Sequence, residues 1–529
     1  MTSIDARDVP ADTTSTERLA GAGLDYRVVD LSDDASASGF ERAVDRGFLG
    51  PEPTSDMLAQ ARKTFAERRN VGVYEKNAPA AALPVATIDG WITPLTVPGG
   101  AEIGMWAISV VTVAATHRRR GIARALLEGE LRAAASAGVA IAGLTVSEAT
   151  IYGRYGFGAA IPVARHTVDT RRAGWSGPTP TGTLEYIDRE TLAADLGAVH
   201  ERARGRASGQ IPGWEGRWEG YAGVAPTPDR DQARGVRYRD EDGALRGVMA
   251  YTVGEATGTF RFRMDVRLLV AETADARAAL WRFALQHDLV DEVVADLRPI
   301  DDPLPWLVHD TRGVKQEVHD HGWLRILDLP TALTARRYSA PIDTVLRVED
   351  SLGFTNGDWR LRVDDDGIAT VDAADEGAEA DITLDVSMLS ALYAGGVRAT
   401  TLHGAGRITA SPAAVEAFDR ALISFPAPSL DILYYRIDSR ARAMRGALRP
   451  ESQRPLSSED QPRVTAARIS AACSAAWTFD DPVAGDAEAV RETGRNDRSP
   501  GTSAKASARN GQAPWFSGSS CTQTSSAFG

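Results

Sequence analysis

Cysteine is almost missing from this chain of 529 residues: there are two, Cys473 and Cys521, both in a compositionally odd C-terminal stretch. Neither a disulfide framework nor a thiolate metal site can therefore organise its domains. The eight histidines show no HExxH or other paired-ligand spacing, so no metal is expected. Long apolar runs are lacking too. Nothing approaches the ~20 residues that a membrane-spanning helix needs, and the opening "MTSIDARDVPADTTSTERLAGAG" has neither the basic start nor the apolar stretch of a secretory signal. The expectation is a cytoplasmic protein with no membrane association. Excess positive charge is absent as well. A total of 59 Lys+Arg against 72 Asp+Glu gives a formal net charge of -13 and a pI of about 5.3. A surface of that sign does not suit a polyphosphate, which argues against a nucleic-acid partner and favours a cationic one.

What the chain does have is length and a mixed α/β pattern. At about 150 residues per domain, three or four units are expected. Residues 1–24 read as a flexible polar lead. After them "YRVVDL" (26–31) alternates as a strand, and "ASGFERAVDRGFL" and "DMLAQARKTFAERR" carry helical periodicity. Strand-like segments follow at "VGVYE" (71–75), "PVATIDGWITPLTV" (84–97) and "MWAISVVTVA" (105–114). The last runs straight into "THRRRGIARALLEGEL" (116–131), which is three arginines, a glycine and an amphipathic helix, and then comes the buried-type strand "VAIAGLTVS".

An arginine run is ordinarily a solvated face. Between a strand and a helix it has another use, because a glycine-containing turn there aims backbone N–H groups and the positive end of the helix at one point, an anion site. Arg118-x-x-Gly121-x-Ala123 resembles the acyl-CoA diphosphate motif of the GCN5-related N-acetyltransferases (GNAT), and the surrounding elements arrive in that family's order. By itself the motif is common. A second stretch, "SEATIYGRYGFGAA" (147–160), follows at a set interval, and the pair resembles the Eis-type N-acetyltransferases. The resemblance implies an acetyl-CoA-dependent enzyme of α/β (α+β) fold with tandem GNAT domains. It puts Val111, Val113, Arg118, Arg119, Gly121, Ile122 and Ala123 on acetyl-CoA positions, Ser147 near the acetyl group and Tyr152 as the acid that protonates the leaving thiolate. Tyr155, from the same turn, is expected to pack rather than react.

Residues 25–175 form the catalytic unit in this reading. Residues 180–335 repeat its pattern with Ala274-Asp275-Ala276-Arg277 in place of the arginine–glycine loop, which implies a second, degenerate GNAT unit whose Asp275 would repel a diphosphate. Residues 338–435 resemble the sterol-carrier-protein-like domain of the same family, with "DDDG" (364–367) as a hairpin turn rather than a calcium loop. The resemblance also implies that "FPAPSLDILYY" (425–435) reaches the active site, where relatives place a terminal carboxylate that helps deprotonate the amine. Here the chain runs on through 436–529, an Ala, Arg, Ser, Gly and Pro-rich tail expected to be disordered. Asp45, Glu52 and Asp56, on the acceptor side, are candidates for attracting a cationic amine. The expected acceptor is an aminoglycoside-like amine or a lysine side chain, and the expected assembly a homo-oligomer, a hexamer by resemblance. Two alternatives stand: a non-catalytic acyl-CoA or lipid-binding scaffold, and a protein lysine acetyltransferase of narrow specificity.

Overall fold

The computed structural model describes residues 4–79, 82–227, 229–255 and 260–435; the expectation of disorder for 436–529 lies outside the described residues. Within the polar lead, expected to be flexible, residues 13–20 form a docked helix. α1 (Thr13–Ala20) is capped by Asp12, whose side chain accepts from Ser15 N, as short polar residues before a helix favour. Leu19 is buried, Ser15 Oγ donates to Ala125 O at 2.7 Å, and Arg132 pairs with Asp12 at 2.8 Å. Composition made this segment look mobile because its polar groups find partners more than a hundred residues away.

The first unit continues with β1 (Leu24–Val28), α2 (Asp34–Gly47), α3 (Ser55–Ala66), β2 (Arg69–Glu75), β3 (Ala86–Thr96), β4 (Glu102–Val113), α4 (Ile122–Ser136), β5 (Ile141–Thr145), the short α5 (Ala149–Tyr152), β6 (Gly158–Asp169) and the short α6 (Thr170–Ala173). The second repeats the order strand, two helices, three strands, helix, two strands: β7 (Thr183–Ile187), α7 (Arg189–Arg204), α8 (Glu215–Ala222), β8 (Arg234–Arg239), β9 (Leu245–Glu255), β10 (Phe262–Ala271), α9 (Ala274–Leu285), β11 (Val290–Arg298) and β12 (Val314–Ile326). The two units share one twelve-stranded sheet in the order β1-β2-β3-β4-β5-β12-β6-β11-β10-β9-β8-β7. From either end, five strands of one unit are followed by the last strand of the other. β12 sits between β5 and β6, with Trp323 opposite Leu144 and Leu324 opposite Gly158, while β6 pairs with β11 through Val168 and Val293. The second unit therefore completes the first by exchanging strands with it.

The third unit comprises α10 (Leu329–Ala335), β13 (Ile342–Glu349), β14 (Gly357–Val363), β15 (Ala369–Ala373), β16 (Ile382–Asp385), α11 (Val386–Leu392), α12 (Ala399–Gly404), β17 (Ile408–Ala410) and α13 (Pro412–Leu422). Its sheet runs β15-β14-β13-β16-β17. "DDDG" is the β14–β15 hairpin turn, with Asp364 N donating to Ile368 O and the Asp364 carboxylate accepting from Ile368 N. One apolar core joins the units, from Met105 and Leu324 to Leu346 and Phe418.

Where the three units meet, a fully buried guanidinium ties them. Arg325 Nε donates to Tyr155 O at 2.8 Å, and its Nη2 to both Asp350 oxygens at 2.7 and 2.8 Å. Asp350 also accepts from Leu352 N and from both the amide and the hydroxyl of Thr355. Burial alone would raise the Asp350 pKa; the bonds from Arg325 and these N–H groups outweigh it and hold the carboxyl below its ordinary value. Leaving one member of such a pair buried without the other costs about 3–5 kcal/mol, so Asp350→Asn should lower the thermal midpoint markedly at pH 7. Because the folded pKa is depressed, this stability is present above the unfolded value and is lost as pH falls through the folded one. The gap between wild type and variant in calorimetric scans should thus hold steady near neutrality and shrink only below the ordinary carboxylate range.

Candidate active site

β4 and β5 run parallel but stay paired only from Met105 and Ile141 to Ile108 and Leu144. Beyond that point β4 follows β3 alone, and a register shift opposite Thr87 and Asp89, with Val110 at φ 45, marks a bulge that bends it away. The strands part at their C-terminal ends, so the β4 segment holding Val111 and Val113 borders a crevice. The chain then turns through Arg119 (φ 59) and Gly121 (φ 71), two left-handed residues in quick succession. Gly121 is the N-cap of α4 and brings no side-chain cap, so the first-turn N–H groups are left for another acceptor. Ile122 and Ala123 are buried beneath the turn. A Cβ at Gly121 would lie 3.2 Å from Arg18 Nη2. Arg18, from the helix that composition hid, thus joins the arginines of this loop. Arg120 turns aside and donates to Ala22 O.

The second unit has the same framework with its openings filled. β10 and β11 pair as far as Val266 and Ala295. Past them Arg298 Nη1 donates to Leu269 O at 2.7 Å, and Asp302 holds the guanidinium at 2.9 Å. The α9 N-terminus is capped by Thr273, which accepts from Ala276 N. Asp275 accepts from Tyr238 Oη and Thr181 Oγ1. It is therefore engaged within its own unit, where the sequence suggested a bare repulsive charge.

Tyr152 is buried, 6% exposed, and meets Phe157 edge-on at 6.1 Å. Burial first, then the charge of Glu148, pushes its phenol up to about 12, against a hydrogen bond with Ser147. Ser147 itself lies at the surface. Tyr155 is buried too, and its carbonyl holds Arg325. Of the glycines that follow Tyr155, Gly156 turns the chain with φ 84. Gly158 does not bend it: a Cβ there would lie 1.9 Å from Ser387 O on α11, so its hydrogen is what lets the third unit seat.

A cleft of about 780 Å³, its open mouth included, is lined by Met57, Phe65, Arg68, Trp214, Arg217, Tyr434 and Tyr435 among others. The expected segment does enter it. Tyr434 N donates to Thr145 Oγ1 at 3.3 Å, Arg68 Nη1 to Tyr434 O at 3.3 Å and Arg217 Nη2 to Tyr435 O at 2.7 Å. Tyr435 stacks on Phe48 at 4.6 Å and donates its hydroxyl to Asp45 at 3.1 Å. Asp45 therefore touches the cleft through Tyr435. Glu52 is paired at the surface with Arg42, and Asp56 is exposed in the first turn of α3. Among the described residues the cleft lining includes two guanidiniums and no carboxylate, the reverse of what the net charge led one to expect. Arg68, Trp214 and Arg217 carry no motif; Arg68 comes from one segment of chain and Trp214 and Arg217 from the start of α8, and only folding brings them together. Among the described residues no group of three His, Cys, Asp or Glu is placed to hold a metal ion, and no helix is long and apolar enough to cross a membrane.

Comparison with known proteins follows the same divisions. Acetyltransferase (GNAT) domain models match residues 29–160 and 210–326, and the sterol carrier protein domain matches 329–431. Fold and site define an N-acetyltransferase of the GNAT class. The chain is 34% identical over 387 residues to an uncharacterized N-acetyltransferase of Streptomyces avermitilis, covering 71% of this chain and 90% of that one. It is 34% identical over 373 residues to the N-acetyltransferase Eis of Mycobacterium tuberculosis, covering 68% and 87%. The crystal structure of Eis1 from Mycobacterium abscessus matches with a TM-score of 0.66 at 29% identity over 78% of this chain and 100% of that one. This chain belongs to the Eis family of GNAT N-acetyltransferases, enzymes that use acetyl-CoA.

The two outer glycines of the tyrosine turn should respond oppositely to alanine. Gly158→Ala drives a methyl into backbone and should cost at least the 1–3 kcal/mol typical of overpacking. Gly153, helical (φ -56) with nothing within 4 Å of its would-be Cβ, should accept alanine with a change of under about 0.5 kcal/mol. Thermal melts of the two variants decide it.

Proposed function

We propose that this chain transfers the acetyl group of acetyl-CoA to a primary amine by direct attack in a ternary complex. In this reading the diphosphate lies on Arg118, Arg119, Gly121 and the first turn of α4 at Ile122 and Ala123. The pantetheine arm follows β4 at Val111 and Val113, and Ser147 and Tyr152 stand at the thioester. The amine nitrogen attacks the thioester carbonyl, whose developing oxyanion a β4 backbone N–H stabilises. The C–N bond forms, the C–S bond breaks, and Tyr152 gives its proton to the leaving thiolate. The surplus proton on the new amide nitrogen balances the one given up.

The observation that carries this reading is the contrast between the two units. One framework has a parted strand pair and an uncapped helix start in the first unit, and an arginine plug and a threonine cap in the second. The high phenol pKa of Tyr152 supports its role as donor, because the proton is in place across the neutral and mildly alkaline range; kcat should show no alkaline limb from this group below about pH 11.

Removing a charge-assisted contact costs about 1.5–3 kcal/mol, so Arg118→Ala should weaken acetyl-CoA binding about ten- to a hundred-fold in calorimetry. Tyr152→Phe should lower kcat by about 10²–10⁴ without touching that affinity, and Tyr155→Phe should be much milder. Asp275→Ala, in the filled unit, should leave acetyl-CoA binding alone. Unchanged affinity in Arg118→Ala would remove the loop assignment, and no thiol release with any amine would favour the scaffold over the enzyme.

A further inference from the structure

The deeply buried arginines of this protein have their charge answered. Arg69 pairs with Glu130, Arg298 with Asp302 and Arg325 with Asp350, and Arg68 with Asp89 at 3.0 Å. Arg336 has no carboxylate but is enclosed by backbone carbonyls of Tyr393 and Leu422. Arg217 differs from all of these. It is 3% exposed, and among the described residues its one hydrogen bond runs to a neutral carbonyl, Tyr435 O, and its buried Nε has no partner. Its guanidinium lies 4.5 Å from the Trp214 ring centre, and Arg68 approaches the same ring to 5.0 Å. Burial above all, with the charge of Arg68, lowers its pKa to about 10, so it remains a cation at neutral pH. A buried charge without a counter-charge is costly, and this one lines the cleft.

Resting on the acetyltransferase reading above, we infer that the accepted amine carries a carboxylate, held by Arg217, and an apolar or aromatic body that packs against Trp214 and Phe65. A guanidinium fork matches a carboxylate in shape as well as charge. Nearby carboxylates are already engaged: Asp89 by Arg68, Asp45 by Tyr435 and Glu219 by Gln60. Arg217, the lining guanidinium without a carboxylate partner, also disfavours a polycation, which brings charge of the same sign. The reaction is that of an amino carboxylate: its nitrogen takes the acetyl carbon, the C–S bond breaks, and the N-acetyl amino carboxylate and the free thiol leave.

The test uses the full-length protein and acceptors that differ in one group: phenylalanine, phenylalaninamide, phenethylamine and a linear polyamine, followed by thiol release. Phenylalanine should exceed the amide in kcat/KM by about ten-fold or more. Arg217→Gln should abolish that preference with acetyl-CoA affinity intact, and Arg217→Lys, which keeps charge but loses the fork, should fall between. Binding of N-acetylphenylalanine against N-acetylphenethylamine by calorimetry needs no turnover; the carboxylate product should bind at least about ten-fold tighter to the natural chain. If Arg217→Gln does not fold, Arg217→Lys and the product pair carry the comparison. Equal or better use of the amide or the polyamine overturns the inference and leaves the acetyltransferase reading standing. Arg217-dependent carboxylate binding with no thiol release from any acceptor overturns the reading and leaves the anion site. Equal binding of both products with no turnover removes both.

Discussion

The exchange of β6 and β12 is the constraint on which the rest of the molecule depends. Each strand fills the gap beside the fifth strand of the other unit, so neither unit has a closed sheet of its own. The exchange also fixes where the third unit docks, since α11 lies against both β6 and β12, and Gly158 permits contact there with backbone. From that docking the chain returns past Ser429 to deliver Tyr434 and Tyr435 to the cleft. The cleft is in consequence made by all three units: Arg68 from the first, Trp214 and Arg217 from the second, and the two tyrosines from the segment of the third that follows α13.

Arg325 shows how closely these layers are coupled. Its guanidinium bonds the carbonyl of Tyr155, three residues from Tyr152, and the carboxylate of Asp350 in the third unit. The tyrosine turn is thus supported from beneath by a buried ion pair. The second unit kept the framework of an acyl-CoA domain while Arg298, Asp302 and Trp281 took over its interior. Side chains that fill such a gap are worth stability to the sheet, which gives the filled copy a use even without a ligand.

Legibility in the sequence followed the range of the interactions concerned. The strand–arginine–glycine–helix run and the tyrosine turn are local patterns, and both are present where their residues placed them. The hairpin at Asp364 was equally local. Arg217 and Trp214 were invisible because their meaning comes from Tyr434 and Tyr435, more than two hundred residues on. α1 was misread because its polar residues are satisfied by distant partners, and the role of Gly158 was hidden because a close approach by α11 leaves no trace in the order of neighbouring residues. The acidity of the chain as a whole misled for a related reason: net charge averages over the surface and says nothing of the walls of one cleft.

The exchanged strands bear on how the protein is made. When β5 leaves the ribosome, the strand that will lie beside it has not been synthesised, and it arrives only with residues 314–326. At about 5–20 residues per second, that delay is on the order of ten seconds or more. Through that interval β5 and β6 each present an unpaired edge, the kind of surface on which strands from other chains assemble. A newly made chain must pass through a stage in which its first unit is patterned but unsealed, and the last strand of the second unit is the piece that closes it.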